Sequence, residues 1–240
     1  MRGRGADHQK QWTYDEILEK LRSLSNPKTL EGMARFGICT KNAYGVSIPS
    51  LRKLAREIGV DHALARRLWS SGIHEGLILA SMMGDPARVT EEQMEQWVRK
   101  FDSWDVCDQC CSNLFDKTPF SHKKVLEWCS REEEFVKRAG FVLMAALAVH
   151  DKKAKDENFL KFLPIIRKES ADQRNFVKKA VNWALRQIGK RNSQLNRAAI
   201  QTAKEIRGID SRSARWIATD ALRELTSGAV QKRLKQSKKR

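Results

Sequence analysis

A repeated pentapeptide decides the fold class of this chain: Phe135-Val136-Lys137-Arg138-Ala139 returns 41 residues later as Phe176-Val177-Lys178-Lys179-Ala180. A related pattern, Ser213–Ala218, follows about one repeat further along the chain. Apolar and small residues alternate with basic ones at helical spacing in all three stretches. The sequence therefore predicts that similar helices recur at a regular interval.

Almost every other segment also has a helical period. Ile17, Leu18, Leu21 and Leu24 lie at the spacing of a helix with one apolar face. Similar patterns occur at Pro49–Ile58, His62–Trp69, Glu75–Met83, Glu91–Phe101, Trp104–Phe115, Ser121–Cys129, Glu133–Val149, Phe159–Arg167, Gln173–Ile188, Gln194–Ile206, Arg212–Leu225 and in the tail from Val230. Short Pro- or Gly-containing connections separate them, and no alternating strand pattern of useful length is present. We therefore expect an all-α protein.

Helix pairs that recur every roughly 30–45 residues are typical of a HEAT-like α-solenoid. In such a fold antiparallel helix pairs stack, and one row of helices lines a concave face, here a basic one. We expect one repeat domain over residues 13–229, a flexible N-terminus at 1–12 and a basic, mobile C-terminal tail at 230–240. A compact bundle without repeats is the alternative that the periodicity leaves open.

The charge balance indicates a polyanionic partner. Lys and Arg number 46 against 29 Asp and Glu, which gives a formal net charge of +17 and an isoelectric point near 9.9. Basic residues bind nucleic acid by neutralising phosphates and releasing their counterions. A surface that serves only solubility is the simpler interpretation. With 41% hydrophobic residues, the chain has enough apolar material for a folded core.

Membrane insertion, export and metal binding find little support in the sequence. No apolar segment follows the charged first residues, and the longest apolar stretch, Gly140–Val149, is too short to span a bilayer. Five cysteines at irregular spacing favour free thiols in a reducing cytoplasm. Cys107 and Cys110 lack a second ligand pair, so we expect no metal and no cofactor.

One segment concentrates positive charge without any acidic residue. Between Arg174 and Arg191 we select six basic residues as candidates for DNA binding. They are Arg174, Lys178, Lys179, Arg186, Lys190 and Arg191. Amphipathic surface helices usually mix both signs of charge, so this pattern favours contact with phosphates.

The candidate for chemistry is Trp104-Asp105-Val106-Cys107-Asp108. Trp104 and Asp108 are four residues apart, which places an indole and a carboxylate side by side on a helix. The simpler interpretation is a helix N-terminus with a buried Trp104 and acids that favour the helix dipole. A carboxylate on a surface that binds phosphates is unfavourable unless it faces a positive charge on the substrate.

The sequence resembles the AlkD-type DNA alkylation repair glycosylases, which are HEAT-like solenoids. The resemblance covers nearly the whole chain. It runs through Met33–Ile38, Tyr44–Leu54, Leu68–Glu75, Phe101–Asp108, Lys137–Ala139 and Lys179–Arg186. The functional residues of that family are matched by Trp104, Asp108, Arg138 and Trp183. The cysteine-rich segment after Asp108 departs from the best-known members.

The resemblance implies hydrolysis of the N-glycosidic bond of cationic alkylated purines, such as 7-methylguanine or 3-methyladenine, in double-stranded DNA. Asp108 would stabilise the oxocarbenium-like sugar and position water, while the two tryptophans cradle the deoxyribose. Arg138 would bind the phosphate beside the lesion. We expect a monomer in the cytoplasm. A non-catalytic protein that binds distorted or branched DNA and a protein-interaction scaffold are the alternatives.

Overall fold

The computed structural model describes residues 11–237, and these are helical throughout apart from short connections. The helices are α1 (Tyr14–Ser23), α2 (Pro27–Arg35), α3 (Ile48–Ile58), α4 (His62–Ser70), α5 (His74–Met83), α6 (Glu91–Val98), α7 (Trp104–Asn113), α8 (Ser121–Cys129), α9 (Glu134–His150), α10 (Asp156–Leu160), α11 (Leu163–Glu169), α12 (Asn175–Gly189), α13 (Ser193–Arg207), α14 (Arg212–Leu225) and α15 (Gly228–Ser237). No strand occurs within residues 11–237. The all-α prediction is confirmed.

Polar side chains mark where several helices begin. Thr13 and Glu16 form a reciprocal capping box at the start of α1. The Asn192 side chain accepts from the backbone N–H of Leu195 before α13. Such side chains satisfy backbone donors that have no partner within the first helical turn. The residue at which each of these helices begins is therefore set by side chains close to it in the sequence.

The chain divides into two compact units, with the boundary between Val89 and Thr90. In the first unit, the buried Glu75 carboxylate on α5 accepts hydrogen bonds from the backbone N–H groups of Tyr44, Gly45 and Val46, at 2.9, 2.6 and 3.2 Å. Gly45 has φ of 75°, and an added Cβ would lie 2.4 Å from the Asn26 carbonyl oxygen. Glycine is therefore required where this loop meets the carboxylate. A single domain over 13–229 stays a prediction.

In the second unit, α7 and α9 pack side by side in the same direction. The Cys107 thiol donates to the Phe135 carbonyl oxygen at 3.8 Å, and the Cys111 thiol donates to that of Ala139 at 3.8 Å. Both contacts join residues 28 positions apart. A constant separation along two helices means that they run parallel.

The same rule applies between α12 and α14. The Gln173 side chain, just before α12, donates to the Ser211 hydroxyl at 2.8 Å. The Asn182 amide donates to the Asp220 carboxylate at 2.7 Å. Both pairs are 38 residues apart, so α12 and α14 are also parallel.

The repeated pentapeptide aligns α9 with α12. The rings of Phe135 and Phe176 have centroids 5.5 Å apart near the first turn of each helix. At the other end, the Arg191 guanidinium donates to the Ala148 carbonyl oxygen at 3.1 Å. Helices α7, α9, α12 and α14 therefore form a parallel row within the second unit, while α8 packs on α9 and α13 packs on α14. The 41-residue repeat is the offset between α9 and α12, whereas contacting residues are 28 positions apart between α7 and α9 and 38 apart between α12 and α14.

The core of the second unit centres on α9, which is buried over Val136–Ala148. An added Cβ at Gly140 would lie 2.7 Å from both the backbone nitrogen and the sulfur of Cys129. This glycine lets α8 and α9 approach closely. The most apolar stretch of the sequence is thus the core of the protein, and no helix within residues 11–237 is long and apolar enough to cross a membrane.

The two ends of the chain were expected to be flexible. Residues 1–10 and 238–240 lie outside the described residues. Within the expected tail, residues up to Ser237 belong to α15, and the Val230 and Leu234 side chains are buried. Part of the predicted mobile arm is therefore a packed helix.

The cysteines are free thiols, and Cys107, Cys110, Cys111 and Cys129 are buried. Burial raises the pKa of the Cys110 and Cys111 thiols well above its ordinary value. Among the described residues, no group of three potential ligands is arranged to hold a metal ion. These thiols act as small core side chains.

Candidate functional site

Helix α7 carries the tryptophan and the carboxylate that the sequence singled out. Trp104 is its first residue and is partly exposed, and Asp108 lies one turn later. Asp105, in the first turn, accepts from the Ser103 hydroxyl at 2.6 Å. Asp105 therefore has the N-terminal position that the simpler interpretation gave it, whereas Asp108 is engaged differently.

Asp108 forms a two-pronged ion pair with Arg138 of α9. The Arg138 Nε donates to Asp108 Oδ1 at 2.9 Å, and Nη2 donates to Oδ2 at 2.8 Å. Nη1 donates to the Phe176 carbonyl oxygen at 2.6 Å. The Arg138 side chain is 6% exposed and that of Asp108 is 16% exposed. The guanidinium thus joins α7, α9 and α12, and the carboxylate keeps a small solvent-facing surface.

The ion pair controls the ionisation of both groups. Burial raises the pKa of the Asp108 carboxyl, and the positive charge and hydrogen bonds of Arg138 oppose that shift. Burial lowers the pKa of Arg138, but the charge of Asp108 outweighs it, so the pKa of Arg138 is raised. A carboxylate held by a bidentate guanidinium is fixed in orientation, which suits it to stabilise a nearby charge rather than to shuttle protons.

Trp183 lies on α12, two helical turns after Phe176, and is partly exposed. Helix α12 packs against α9, so it borders the helix that carries Arg138. The structure therefore joins Asp108 and Arg138 directly and connects Arg138 to the backbone of the helix that bears Trp183.

Two of the six predicted DNA-binding residues have structural partners at the ends of α12. Arg174 pairs with Asp172 at 2.5 Å and donates to the Glu132 carbonyl oxygen at 2.5 Å. Arg191 donates to the carbonyl oxygens of Ala148 and Ala154. Both side chains bind neighbouring segments of the protein.

Arg186 and Lys190 pair with carboxylates from α14. Arg186 Nη1 lies 3.2 Å from Asp220 Oδ2 and 2.8 Å from Glu224 Oε2. Lys190 Nζ lies 2.6 Å from Glu224 Oε1. The segment without acids is therefore neutralised in part by a helix that lies far away in sequence.

Lys178 and Lys179 remain positive. Lys179 is exposed, and Lys178 Nζ lies 5.1 Å from the centroid of the Trp216 ring. Within residues 11–237 neither lysine forms an ion pair with a carboxylate. These two are the residues of the predicted set with charge free to meet a phosphate.

Sequence reasoning missed the Phe176 carbonyl oxygen, the carboxylates of α14 and the position of Trp216. The sequence analysis considered the charges along one helix, whereas these contacts join neighbouring helices of the row. The third copy of the repeat, which contains Trp216, was the available signal. A 38-residue step from Lys178 leads to Trp216.

Known proteins support the fold. A solved structure, described as belonging to a new family of proteins related to the HEAT-like repeat DNA glycosylases with affinity for branched DNA structures, superposes with a TM-score of 0.75. It is 16% identical in sequence, and the match covers 89% of this chain and 96% of that one. The HEAT-like fold predicted from the repeats is confirmed.

Two curated relatives match part of the chain. The uncharacterised protein Lin0241 of Listeria innocua is 26% identical over 133 residues, and Lmo0209 of Listeria monocytogenes is 24% identical over 133 residues. Each match covers 54% of this chain and 59% of the relative, so the chain spans less than two thirds of their length.

The sequence model of a protein family matches most of the chain, from residue 17 to residue 225. That range includes Trp104, Asp108, Arg138 and Trp183. The family is described as DNA alkylation repair enzyme. This chain belongs to the DNA alkylation repair enzyme family.

Proposed function

We propose that this protein is a DNA glycosylase that hydrolyses the N-glycosidic bond of cationic alkylated purines, such as 7-methylguanine and 3-methyladenine, in duplex DNA. The bidentate contact between Asp108 and Arg138 carries the proposal. It fixes a partly exposed carboxylate one turn from Trp104, in a chain with excess positive charge. Membership of the DNA alkylation repair enzyme family supports the same class of reaction.

The chemistry follows from the charge of the substrate. An alkylated purine cation leaves as a neutral base when the bond to C1′ breaks, so the enzyme need not protonate it. The sugar becomes oxocarbenium-like, water adds to C1′, and the proton of that water passes to solvent. Asp108 stabilises the developing positive charge, and Trp104 and Trp183 offer aromatic faces to the sugar.

We propose a role for Arg138 other than the phosphate contact that the resemblance implies. All three of its nitrogens donate within the protein, two of them to Asp108 and one to the Phe176 carbonyl oxygen. We therefore assign Arg138 as a positioning residue for Asp108. Lys178 and Lys179 take over the contact with phosphates, and the protein acts on double-stranded DNA as a monomer without a cofactor.

Base release from methylated DNA tests the proposal. Wild-type protein is incubated with methylated duplex DNA, and free 7-methylguanine is quantified by chromatography. Asp108→Asn should lower the rate of release by at least about 100-fold while affinity for the duplex changes little, because it removes charge stabilisation in the transition state. Asp102→Asn, which neutralises an exposed aspartate just before α7, is the matched control and should keep full activity.

A second function is favoured by one feature of the same ion pair. Both oxygens of Asp108 already accept from Arg138, so the pair can serve purely to hold α7 against α9. The protein would then bind distorted or branched DNA without cleaving a bond, which is in line with the affinity described for the similar solved structure. If the wild-type protein binds DNA tightly but releases no base, and if Asp108→Asn leaves the affinity for DNA unchanged, this alternative is established and the glycosylase proposal is wrong.

A further inference from the structure

Helices α12 and α14 face each other through a regular series of polar contacts. On α12 the series contains Lys178, Asn182, Arg186 and Lys190, which are spaced four residues apart and share one side of the helix. On α14 it contains Trp216, Asp220 and Glu224, which have the same spacing. Because the helices are parallel with a 38-residue offset, the first three residues of the α12 series meet the three residues of the α14 series in order, and Lys190 also reaches Glu224.

Carboxylates accept from α12 along most of this series. Asn182 donates to Asp220, Arg186 contacts Asp220 and Glu224, and Lys190 donates to Glu224. These contacts neutralise the positive charge of α12 toward its C-terminal end. They also explain why α12 tolerates a side without acidic residues of its own.

The first contact of the series breaks the pattern. Lys178 meets the ring of Trp216, at 5.1 Å, where the later members meet a carboxylate. The Trp216 side chain is 41% exposed, although α14 buries apolar residues on its other side. A large aromatic surface and an uncompensated ammonium therefore lie together at the N-terminal end of the contact between α12 and α14.

Basic residues lie beside Lys178 and Trp216 along both helices. Lys179 follows Lys178 on α12, Arg212 lies one turn before Trp216 on α14, and both are exposed. Arg215 pairs with the fully exposed Asp210 at 2.9 Å, and Asp220, one turn after Trp216, already accepts from α12. Neither of these carboxylates pairs with Lys178. A neutral or positively charged apolar ligand gains nothing from that charge, whereas a ligand that joins an aromatic ring to an anion matches both features.

We propose that Trp216 and Lys178 bind an unpaired nucleotide of DNA, whose base stacks on the indole and whose phosphate meets the lysine. Aromatic side chains beside basic residues are the usual means of binding single strands, because every base has a π-face while its phosphates are negative. Paired bases within a duplex do not expose their faces. This contact therefore selects DNA that has a single-stranded stretch beside a duplex.

The inference rests on the DNA binding of the proposed function and extends it to the kind of DNA that is bound. It requires neither Asp108 nor base release. The site lies on α12 and α14, and the ion pair of the proposed reaction lies between α7 and α9. The two proposals can therefore fail separately.

Binding measurements with two DNAs test the proposal. One DNA is a blunt duplex, and the other is the same duplex with a ten-nucleotide thymidine overhang, both labelled at the far end for fluorescence anisotropy. Trp216→Ala should weaken binding to the overhang DNA by about tenfold and binding to the blunt duplex by less than twofold, as expected for the loss of one stacked base. Trp216→Phe should restore most of the affinity, because it keeps an aromatic face.

Leu126→Ala is the matched control, since Leu126 is also a large exposed apolar residue of the second unit, on α8. It should leave both affinities unchanged. Equal losses on both DNAs, or no loss on the overhang DNA, would overturn the stacking site and leave the glycosylase standing. If the wild-type protein binds neither DNA, both proposals are wrong. An acidic peptide that binds through Lys178 would then identify a protein as the partner.

Discussion

The contact between α7 and α9 has the same geometry as the contact between α12 and α14, but the two contacts differ in how far they are buried and in what they can do. Both join parallel helices of one row through charged side chains. The ion pair of Asp108 and Arg138 is almost enclosed, and Arg138 also holds a backbone carbonyl of a third helix. Between α12 and α14, Arg186 and Glu224 are each 29% exposed, and the series begins at an exposed tryptophan, Trp216.

The difference shows how a repeated scaffold acquires separate tasks. A buried ion pair is costly to break, because removing one partner leaves the other charged in a poorly solvated place. A partly exposed pair is screened by water and contributes little to stability. The first contact is therefore suited to hold a group in position, and the second is suited to meet a ligand.

The largest effect is expected at the enclosed pair. Arg138→Ala should lower the free energy of unfolding by about 3–5 kcal/mol, since Asp108 would keep its charge without a partner. Urea denaturation followed by circular dichroism measures the change. The double variant Asp108→Ala with Arg138→Ala should be more stable than Arg138→Ala alone, because no unpaired charge remains. A loss below about 1 kcal/mol for Arg138→Ala would contradict the comparison.

Close packing should give a smaller difference between α9, at its contact with α8, and α12, at its contacts with α13 and α14. Gly140→Ala places a methyl group 2.7 Å from the backbone nitrogen of Cys129, which cannot move independently, and should cost about 1–3 kcal/mol. At Gly189 an added Cβ would lie 2.7 Å from the end of the Leu225 side chain, which can rotate, and 2.9 Å from the Ala199 Cβ, which is fixed to the backbone of α13. Because the fixed atom is more distant than at Gly140, Gly189→Ala should cost less. The same denaturation experiment compares the variants, and the reverse order would show that α12 is packed more rigidly than α9.

The ion pair between Arg174 and Asp172 is intermediate in exposure, and the pH dependence of its contribution to stability tests the role of burial. Burial raises the pKa of Asp172, but hydrogen bonds from Arg174 outweigh it, so the pKa of Asp172 is lowered. This ion pair stabilises the folded protein at pH values above the pKa of the aspartate in the unfolded chain, which is about 3.9. The stabilisation is lost as the pH falls through the lower pKa of Asp172 in the folded protein. Arg174→Ala should therefore destabilise the protein by about 1 kcal/mol at pH 7.

That difference should shrink as the pH falls through the lowered pKa of Asp172, because the carboxyl group then takes up a proton in both proteins. Unfolding curves of wild type and Arg174→Ala at several pH values measure it. A difference that stays constant with pH would assign the effect of Arg174 to its bond with the Glu132 carbonyl oxygen.

The smallest effect is expected between α12 and α14. Arg186→Ala should lower the free energy of unfolding by less than about 1 kcal/mol, because the pair is partly exposed and Glu224 keeps Lys190 as a partner. The measurement is again urea denaturation, with Arg138→Ala in parallel. A loss as large as that of Arg138→Ala would remove the distinction between the two contacts.

Much of the fold could be predicted from the sequence, because its causes are local. Helical spacing of apolar residues and polar caps such as Thr13 and Asn192 are set within a few positions. The pentapeptide shared by Phe135–Ala139 and Phe176–Ala180 predicted neighbouring helices, and their phenylalanine rings are in contact. The tail from Val230 has a helical pattern but was expected to be mobile because of its charge, and the burial of Val230 and Leu234 in α15 agrees with the pattern.

The candidate site was predictable only as a set of residues. Trp104, Asp108, Arg138 and Trp183 follow from the family resemblance, but their partners do not. Arg138 is expected from the resemblance to bind a phosphate, which stays a prediction, and its contacts with Asp108 and the Phe176 carbonyl oxygen had no signal in the sequence. A guanidinium has several possible acceptors, and the sequence does not state which of them packing will bring within reach.

By itself, the sequence determined that this protein is helical, repetitive, basic and a member of a DNA alkylation repair family. Only the tertiary structure decided which charges are neutralised, since the ion-pair partners are 30 to 38 residues apart and meet across parallel helices. Arg186 is neutralised by an ion pair with Glu224 of α14, whereas Lys178 lies beside the Trp216 ring and is not neutralised by a carboxylate. The physical reason is that periodicity acts within one helix, while an ion pair depends on the offset between two.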